Sequence, residues 1–411
     1  ILFIRQKMKI LLIHQHYFPE MSGTARRAKE LAEGFVKRGY DVNILTSFPR
    51  DYRSMPNSSY NVIESLNGVS IYRVSTLFEV KKNVVLRMLS YLSFVVISIK
   101  LGLKLSRKSD IIISIAPLPS GILGGLLHLF NKKYHHFDIP DILPDLGIAA
   151  GMIKNKGLIY LLRKIEIWAY SRANSISTCT KGQMNNIHSK GVPDEKLSCI
   201  PDWIDTAYFK NNLNKHKLFI DQKYAFPNKV TISFVGNIGA LQNPDVFVEV
   251  MKDLANDGHN KYIFLFIGDG IMLPRIKEKI LKLKLNNIKI IGRVDRKYIP
   301  GLMKKSDILV TNYISDEHLN LYVPGKLFEY AISNKPIIIG SKGDAKNFIE
   351  KYNFGIVVAP SNKIAFKKAI LEVTNGNYNF LPKTDKFISD YSIENILDKY
   401  ENIINNSHKG W

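Results

Sequence analysis

Short runs of apolar residues, each bounded by turn-forming residues, recur along the chain and alternate with stretches of helical periodicity. Runs of this length are typical of strands that are buried on both faces of a sheet. Strands that alternate with helices form βαβ units, so we expect parallel sheets with helices on both faces, which is an α/β fold. The predicted strands are Lys9–His14, Asp41–Thr46, Ser70–Val74, Ile111–Ala116, Tyr134–Phe137, Ser175–Cys179, Thr231–Val235, Ile263–Ile267, Ile288–Ile291, Ile308–Thr311, Ile337–Ile339 and Gly355–Val358.

Two such series of strands, in a chain of 411 residues, indicate two Rossmann-like domains, because one hydrophobic core rarely extends over so long a chain. The join is predicted within residues 195–228, which are polar, rich in turn formers and poorly periodic. We therefore expect domains over residues 8–195 and 196–411, with the last helix packing back toward the first domain. Ligands bind at the carboxyl ends of strands in such sheets, so the site is expected in a cleft between the two domains.

The stretch YVPGKLFEYAISNKPIIIG, residues 322–340, places a lysine at the start of a helix. Pro324-Gly325 is a turn signal, Lys326–Ile332 has helical spacing, and Asn334 can end the helix in a left-handed conformation. A cation at a helix N-terminus is mildly unfavourable, because that end already carries partial positive charge. It becomes favourable when an anion docks there, so the stretch indicates a phosphate site. A solvated lysine at an ordinary helix start is the structural alternative.

Glycines follow several of the predicted strands, at the edge where ligands bind in sheets of this kind. Gly23 enters the helix after the first strand, Gly236 and Gly239 lie in GNIGALQNPD, and GDG and GRV follow the next two strands. Tight packing of a strand–helix turn explains any single glycine. Several glycines at one sheet edge, facing Lys326 and Glu329, indicate loops whose backbone amides approach a phosphate.

The net charge of +22 is concentrated in the first half of the chain. Residues 1–190 carry 27 of the 58 Lys and Arg but 12 of the 36 Asp and Glu, which is +15 of the total. A basic half implies an anionic partner, which can be nucleic acid, an anionic membrane or a phosphorylated substrate. No nucleic-acid-binding motif occurs and the lysines are dispersed, so we expect no nucleic-acid partner.

Residues 81–108, KKNVVLRMLSYLSFVVISIKLGLKLSRK, form an apolar, helix-like segment with cations inside and at both ends. The uncharged core, Met88–Ile99, is too short to span a bilayer, so the segment either lies in an anionic membrane interface or is a buried domain helix. Prolines and glycines within residues 111–130 favour a strand, a turn and a helix there, and we predict no spanning segment. Cys179 and Cys199 have neither metal nor redox spacing, which fits a reducing, cytoplasmic compartment.

Taken in order, GNIG, GDG, GRV and PGKLFEYAISNKPIII resemble the donor domain of GT-B glycosyltransferases of family 4. The segment HQHYFPE…ELAEGFVKRGYDV resembles the first βα unit of that family. The resemblance extends over nearly the whole chain from Met8, and within the family it is strongest to bacterial N-acetyl-L-fucosamine transferases of O-antigen and capsule assembly. It implies a GT-B fold, a nucleotide-sugar donor, a lipid-linked acceptor and retention of the anomeric configuration.

The resemblance also assigns residues to the donor. Glu329 would hold the ribose hydroxyls, because a carboxylate can accept hydrogen bonds from both of them. Lys326 and the amides around Lys326-Leu327 would bind the diphosphate, and the turn Gly292-Arg293-Val294 would contact the uracil, largely through its backbone. The remaining predicted nucleotide-sugar contacts are Gly23, Asn237, Gly239 and Gln242.

At three places the chain lacks a family residue that contacts the donor. The missing groups are a glutamate eight residues before the ribose-binding one, an arginine and a lysine after the first donor-domain strand, and one glycine of a first-domain pair. Neutralisation of the diphosphate would then depend on Lys326, amides and a helix N-terminus, and Asp316 or Glu317 would replace the glutamate by position. These places are occupied by Leu321, by Asn237 and Gln242, and by Ser22 before Gly23.

Glycosyl transfer needs neutralisation of the leaving diphosphate and a group that orients the acceptor hydroxyl. No Asp-x-Asp pair for a bridging metal occurs, so we expect no metal cofactor and a cationic role for Lys326. Asp138, Asp141 and Asp145 in FDIPDILPDLG follow a predicted strand, and the Asp141–Asp145 portion resembles a motif of the fucosamine subgroup. We predict Asp141 as a base or acceptor-orienting group, with Asp138 behind it; capping of turns is the structural alternative. His136 is expected to pack within its strand.

Together these features predict a metal-independent, retaining glycosyltransferase, peripheral on the cytoplasmic face of the inner membrane. It would move N-acetyl-L-fucosamine or a related N-acetyl deoxysugar from UDP to a polyprenyl-diphosphate-linked sugar in O-antigen or capsule biosynthesis. The basic first domain and residues 81–108 would bring it to the anionic membrane and acceptor. Two alternatives remain: a UDP-sugar epimerase of GT-B fold, and a non-enzymatic protein that binds nucleic acid or membrane through its charge.

Overall fold

The computed structural model of the chain describes residues 8–20, 22–49, 61–77, 84–149, 151–224 and 226–407. These residues form two compact units, each built on a sheet that is wholly or largely parallel, which confirms the predicted class of two Rossmann-like α/β domains. The first unit comprises the chain up to Asp202 together with the segment from Ile393 onward, and the second comprises Trp203–Ser392. The division thus falls inside the predicted join but after Asp202 rather than after residue 195, and the last helix belongs to the first unit.

The first unit contains an eight-stranded sheet in the order β3-β4-β2-β1-β5-β6-β7-β8. Every pairing between its neighbouring strands is parallel except that of β3 with β4. Its elements are β1 (Lys9–Ile13), α1 (Gly23–Lys37), β2 (Asp41–Ser47), β3 (Asn61–Leu66), β4 (Val69–Val74), α2 (Val84–Arg107), β5 (Ile111–Ile115), α3 (Leu118–Asn131), β6 (Tyr134–Ile139), α4 (Asp145–Ala149), α5 (Lys156–Ser171), β7 (Ser175–Thr178), α6 (Lys181–Ser189) and β8 (Leu197–Cys199).

The second unit contains a six-stranded, all-parallel sheet in the order β11-β10-β9-β12-β13-β14. A last helix, α16 (Ile393–Ser407), follows this unit and belongs to the first one. The elements of the second unit are α7 (Thr206–Leu213), α8 (Lys217–Tyr224), β9 (Val230–Val235), α9 (Asp245–Asn256), β10 (Tyr262–Ile267), α10 (Leu273–Lys282), β11 (Ile288–Gly292), α11 (Ile299–Lys305), β12 (Ile308–Asn312), α12 (Lys326–Ile332), β13 (Ile337–Gly340), α13 (Gly343–Tyr352), β14 (Gly355–Val358), α14 (Lys363–Thr374) and α15 (Thr384–Tyr391).

The strands of the second unit are apolar on both sides because helices cover both faces of the sheet. In β10 all six residues are buried, and successive side chains belong to different hydrophobic clusters. Ile263 and Leu265 pack in one cluster, whereas Phe264 and Phe266 pack in the other. This alternation follows from the period of two along a strand. Because all strands of this sheet are parallel, their carboxyl ends lie at one edge, where the candidate site is found.

Two strands were not predicted, and one of them corrects the expectation of a purely parallel first sheet. β3 runs antiparallel to β4, with Leu66 opposite Val69. The two strands are joined by Asn67-Gly68, whose φ angles of 52° and 83° suit a tight hairpin turn. β8 is a three-residue edge strand, too short to give a hydrophobic pattern.

Helix α2 has one buried and one exposed face. Phe94 and Val95 are 0% and 6% exposed, whereas Leu92 and Val96 are both 60% exposed. By length and composition alone Leu86–Arg107 could cross a membrane, but a third of its most apolar window is buried within the protein. The interpretation as a domain helix is therefore correct for one face, and the exposed face retains the apolar character expected of an interfacial helix.

Candidate functional site

Lys326 begins α12, as predicted, and its side chain turns into the protein. Its ammonium nitrogen is enclosed, has no hydrogen-bond partner among the described residues, and lies 4.1 Å from the centroid of the Phe234 ring. It also lies beside Gly236, where a Cβ atom would come within 3.3 Å of it. Desolvation lowers the pKa of Lys326 to about 7. A buried cation without a counter-charge is unfavourable, so this position favours an anion.

The glycine loops at the ends of β9 and β10 are joined through their backbones. The Gly236 amide donates to Ile267 O at 2.8 Å. A Cβ atom at Gly268, which has φ 140°, would lie 1.9 Å from Gly236 O, and one at Gly270 would lie 2.3 Å from Ile238 O. Close packing therefore explains Gly268 and Gly270, in line with the structural alternative, whereas Gly236 faces Lys326.

The loop of Asn237, Gly239 and Gln242 is closed by its own hydrogen bonds. Gln242 Oε1 accepts from the Gly239 amide at 3.2 Å, and Gln242 O accepts from Asn312 Nδ2 at 3.0 Å. Asn237 is exposed, whereas Gly239 is buried. A ligand could thus meet the Asn237 side chain directly, whereas Gln242 holds the loop in shape.

Glu329 lies three residues after Lys326 and is paired with an arginine that the sequence did not single out. Glu329 Oε1 is 3.8 Å from Arg296 Nη2, and the Arg296 guanidinium lies 4.5 Å from the centroid of the Tyr208 ring. Arg293 on the preceding loop is exposed, and Val294 packs against the hydrophobic core. The loop after β11 therefore supplies a positioned cation beside Glu329, and Val294 can contact a ligand mainly through its backbone.

Two predicted contacts in this unit require correction. The side chain of Leu327 is fully buried, and its amide donates to Pro324 O at 2.8 Å, so that amide is already used within the turn and is not free for a diphosphate. Asp316 accepts from the amides of His318 and Leu319 at 2.9 and 3.3 Å. It caps a short turn and does not replace the missing glutamate.

Gly23 is the first residue of α1 and is exposed. No atom lies within 4 Å of the position that a Cβ atom would take there. The helix start is capped by Ser22, whose Oγ accepts from the Ala25 amide at 3.3 Å. The space beside Gly23 is compatible with the predicted ligand contact, which stays a prediction.

Asp138 lies at the centre of a buried ion-pair network in the first unit, which fits the predicted place behind Asp141 and leaves its carboxylate no direct contact with a substrate. Arg27 Nε and Nη2 donate to its two oxygens at 2.7 and 3.1 Å, and Ser177 Oγ donates at 2.7 Å. Arg27 Nη1 also donates to Asp202 at 2.7 Å. The Arg27 charge, the hydrogen bonds from Arg27 and Ser177 and the nearby His136 together outweigh burial and lower the pKa of Asp138. Its carboxylate is occupied, so Asp138 positions Arg27 rather than a substrate.

Asp141, three residues later, has the opposite environment. The residue is exposed, yet protein surrounds enough of its carboxyl to desolvate it. Desolvation and, to a smaller extent, the negative charge of Asp202 raise the pKa of Asp141 to about 6, against the opposing effect of Arg27. Asp145 is buried and accepts from Lys190 at 2.8 Å. Of the three aspartates, Asp141 alone is an exposed residue, and its raised pKa suits it to accept a proton near neutral pH.

The residues that sequence reasoning missed are Arg27, Asp202, Arg296 and Tyr400. Arg27 is the fifth residue of α1, beyond its first turn, so the signal that singled out Lys326 does not mark it. His136, predicted to pack in its strand, is buried between Ser175 and Ser177, and desolvation lowers the pKa of His136 to about 4. Across the part of the chain that the structure describes, no group of three or more His, Cys, Asp or Glu side chains could hold a metal ion.

Two models of known families match the chain. The model described as glycosyl transferase 4-like domain matches residues 22–203, and the model described as glycosyl transferases group 1 matches residues 217–392. The two matches correspond to the two compact units and to the regions that carry Asp141 and Lys326.

The chain is also similar to individual proteins. It is 24% identical over 311 residues to the putative colanic acid biosynthesis glycosyl transferase WcaI of Escherichia coli strain K12, with 73% of this chain and 75% of WcaI covered. It is 22% identical over 406 residues to the Escherichia coli UDP-Gal:alpha-D-GlcNAc-diphosphoundecaprenol alpha-1,3-galactosyltransferase, with 96% of each covered. The crystal structure of Anabaena Alr3699/HepE in complex with UDP matches with a TM-score of 0.72 at 12% identity, over 97% of this chain and 100% of that one.

Proposed function

Since the chain belongs to the GT-B glycosyltransferases of family 4, we propose that it transfers a sugar from a UDP donor to a polyprenyl-diphosphate-linked saccharide in O-antigen or capsule assembly. The observation that carries the donor half is the enclosed Lys326 ammonium, which lacks a counter-charge among the described residues. The acceptor half is supported by the Escherichia coli galactosyltransferase, whose acceptor is a diphosphoundecaprenol-linked sugar. The proposed sugar is N-acetyl-L-fucosamine or a related N-acetyl deoxysugar, transferred with retention, on the resemblance of Asp141–Asp145 to the fucosamine subgroup.

In this proposal Lys326 stabilises the negative charge that develops on the leaving diphosphate. A charge that is already desolvated and held in place is worth more there than a solvated one. Glu329 accepts hydrogen bonds from the ribose hydroxyls, and Arg296 holds its carboxylate at 3.8 Å in position. We propose that no metal is needed, a view supported by the lack of an Asp-x-Asp pair in the sequence.

On the acceptor side, Asp141 orients the attacking hydroxyl and accepts its hydrogen bond. Its raised pKa makes it a better proton acceptor than an ordinary aspartate. Arg27 holds the carboxylates of Asp138 and Asp202 in place, because it forms an ion pair with each of them. We propose that the enzyme works as a peripheral protein on the cytoplasmic face of the inner membrane, with the exposed apolar face of α2 and the basic first half toward anionic lipid.

Titration of UDP by calorimetry tests the donor half. Lys326→Ala should weaken UDP binding about tenfold or more, because a charge-assisted contact to the diphosphate is lost. Lys304→Ala removes an exposed lysine of the same unit and should leave the affinity unchanged. Equal UDP affinity of the wild type and the Lys326 variant would remove the proposed role of Lys326.

A panel of nucleotide sugars, read first by thermal shift and then by mass spectrometry, tests the reaction. Nucleotide sugars that bind the folded state raise Tm, and UDP-N-acetyl-L-fucosamine is expected to raise it most. With a polyprenyl-diphosphate-linked acceptor present, the acceptor mass should increase by one sugar. Conversion of the donor without any acceptor would instead indicate a UDP-sugar epimerase. An unchanged Tm with every nucleotide sugar would favour the non-enzymatic protein that binds nucleic acid or membrane through its charge.

A further inference from the structure

An apolar groove lies in the first unit between α2, α3, α4 and α5. It has a volume of about 630 Å³. Its walls include Met88, Ile122, Leu146 and Leu162, and among its described lining residues Arg87 is the one charged side chain. Binding sites for small molecules are of this size and carry few polar groups. The near absence of polar lining excludes a sugar or a nucleotide as the occupant and favours a hydrocarbon.

The groove is open to solvent along one side. Three of its lining side chains remain well exposed: Leu89 at 44%, Leu92 at 60% and Met152 at 44%. Apolar residues beyond the groove on the same helices are exposed as well, among them Val96 at 60% and Leu161 at 54%. An exposed apolar surface of this kind indicates a binding site, because apolar side chains in contact with water do not stabilise the folded protein.

The groove is connected by the chain to the candidate acceptor carboxylate. Leu143 and Pro144 form part of its wall and follow Asp141 almost directly. Two residues of chain span at most about 7 Å, so the Cα atoms of Asp141 and Leu143 cannot be farther apart. A molecule whose hydrocarbon tail leaves the groove beside Leu143 would therefore present its head near Asp141.

The charges around the groove suit an anionic head. Arg87 lines it, and Lys154, Lys156 and Lys164 are exposed on the neighbouring segment and on α5. These cations complement a diphosphate, which is the group that joins the isoprenoid chain to the sugar in a lipid-linked acceptor. A hydrocarbon lining, exposed apolar residues and neighbouring cations are together the features of a site for one amphipathic ligand.

We infer that this groove binds the isoprene units nearest to the diphosphate of the acceptor; the inference rests on the proposed function for the identity of that acceptor. The volume sets the length that is bound. An apolar cavity of about 150 Å³ holds benzene, so 630 Å³ accommodates on the order of 20–25 carbons, which is four or five isoprene units. The remainder of a longer chain lies outside the protein, in the bilayer. The groove thus selects a lipid carrier by direct contact, in addition to any general attraction to the membrane.

Calorimetry with prenyl diphosphates of 10, 15, 20 and 30 carbons, without detergent and with saturating UDP, tests the groove directly. UDP occupies the donor site in this design, so the probes report the groove. Each buried methylene is worth roughly a fourfold change in affinity, and we expect at least about a tenfold gain per isoprene unit up to 20 carbons. From 20 to 30 carbons the affinity should change little, because the additional carbons lie outside the groove.

Adjacent leucines on α5 provide a matched pair of variants. Leu162→Trp fills the groove and should abolish the chain-length dependence, whereas Leu161→Trp adds the same bulk to a leucine outside the lining and should retain it. Ile122→Trp, on α3, fills the groove from another wall and repeats the test if Leu162→Trp does not fold. A circular dichroism spectrum and a Tm equal to those of the wild type confirm that each variant is folded.

Three outcomes overturn the inference. They are an affinity independent of chain length, a rise that continues evenly to 30 carbons, and an equal loss in the Leu161 and Leu162 variants. The second and third outcomes would indicate general partitioning into lipid, which vesicles of anionic phospholipid without isoprenoid would reproduce. Failure of the proposed function has a different signature: the groove would bind prenyl diphosphates with the expected length limit, but no sugar would be transferred to any acceptor.

Discussion

At the scale of single residues, the proposed donor site depends most on Lys326. Lys326 Nζ is enclosed between the Phe234 ring and the Gly236 backbone without an acidic partner among the described residues. The contact with the aromatic face compensates part of the lost hydration, but a buried charge still weakens the folded state. In the proposed function, the diphosphate of the nucleotide-sugar donor supplies the missing negative charge.

UDP binding should be coupled to protonation of Lys326. Burial lowers its pKa from 10.5 to about 7, so between these pH values the unfolded chain binds one more proton than the folded chain. The contribution of Lys326 to stability is therefore most unfavourable below about pH 7 and becomes less so as the pH rises. UDP restores the proton, so near pH 8 we expect uptake of almost one proton per UDP and weaker binding as the pH rises further.

Calorimetry of UDP binding in two buffers of different ionisation enthalpy measures this uptake. Lys326→Met keeps the bulk of the side chain without its charge, so it should show no uptake and should unfold at a higher temperature than the wild type below about pH 7. Identical binding enthalpies for the wild type in the two buffers would contradict the assignment.

Asp138 and Asp141 should respond differently when each is replaced by asparagine. Asp138→Asn leaves Arg27 buried with a weakened partner and should reduce the free energy of unfolding by about 3 kcal/mol. Because the pKa of Asp138 is lowered, its stabilisation is present above the unfolded pKa and is lost as the pH falls through the lower folded value. Asp141→Asn should leave the free energy of unfolding within about 0.5 kcal/mol but reduce sugar transfer roughly 100-fold.

Urea unfolding and a transfer assay on both variants check this contrast, and Asp194→Asn, at an exposed residue, serves as a control that should change neither quantity. An Asp138→Asn protein that keeps its stability but loses sugar transfer would instead indicate that Asp138 takes a direct part in the reaction.

At the scale of elements, the strands that are buried on both faces were predicted almost to their ends. Ile111–Ile115 and Tyr262–Ile267 are nearly continuous apolar runs, whereas a helix with one exposed face would have polar residues between the apolar ones. The hairpin strand β3 was missed because its pattern is weakly apolar, although the Asn67-Gly68 turn beside it is a strong local signal.

Contacts between residues that are far apart in the sequence are the part of the site that local sequence patterns cannot predict. The residues that meet Arg27 in the buried network, Asp138 and Asp202, are 111 and 175 positions away in the sequence. No local pattern marks Arg27, and only the order of strands in the sheet brings its partners together. The same holds for Arg296, in the segment after β11, and Glu329, on α12, which are 33 positions apart in the sequence.

At the scale of the whole molecule, the chain returns to its first unit after completing the second. Helix α16 packs on α1, where Leu397 occupies the space left by Gly34 and would lie 2.7 Å from any Cβ atom there. The Tyr400 hydroxyl accepts from Arg27 at 3.0 Å, so the last helix also completes the ion-pair network beside Asp141. The predicted cleft between the two domains stays a prediction.

A chain that ends at Ser392 should therefore lose the first unit while it keeps the second. Four buried apolar or aromatic side chains would be removed, namely Ile396, Leu397, Tyr400 and Ile404. Each contributes about 1.5–3 kcal/mol, and their sum is comparable to the whole stability of a typical domain, about 5–15 kcal/mol. We expect circular dichroism to show partial loss of structure and calorimetry to show retained UDP binding, because Lys326 and Glu329 belong to the second unit. Loss of UDP affinity together with the helix would show that the nucleotide site depends on the first unit as well.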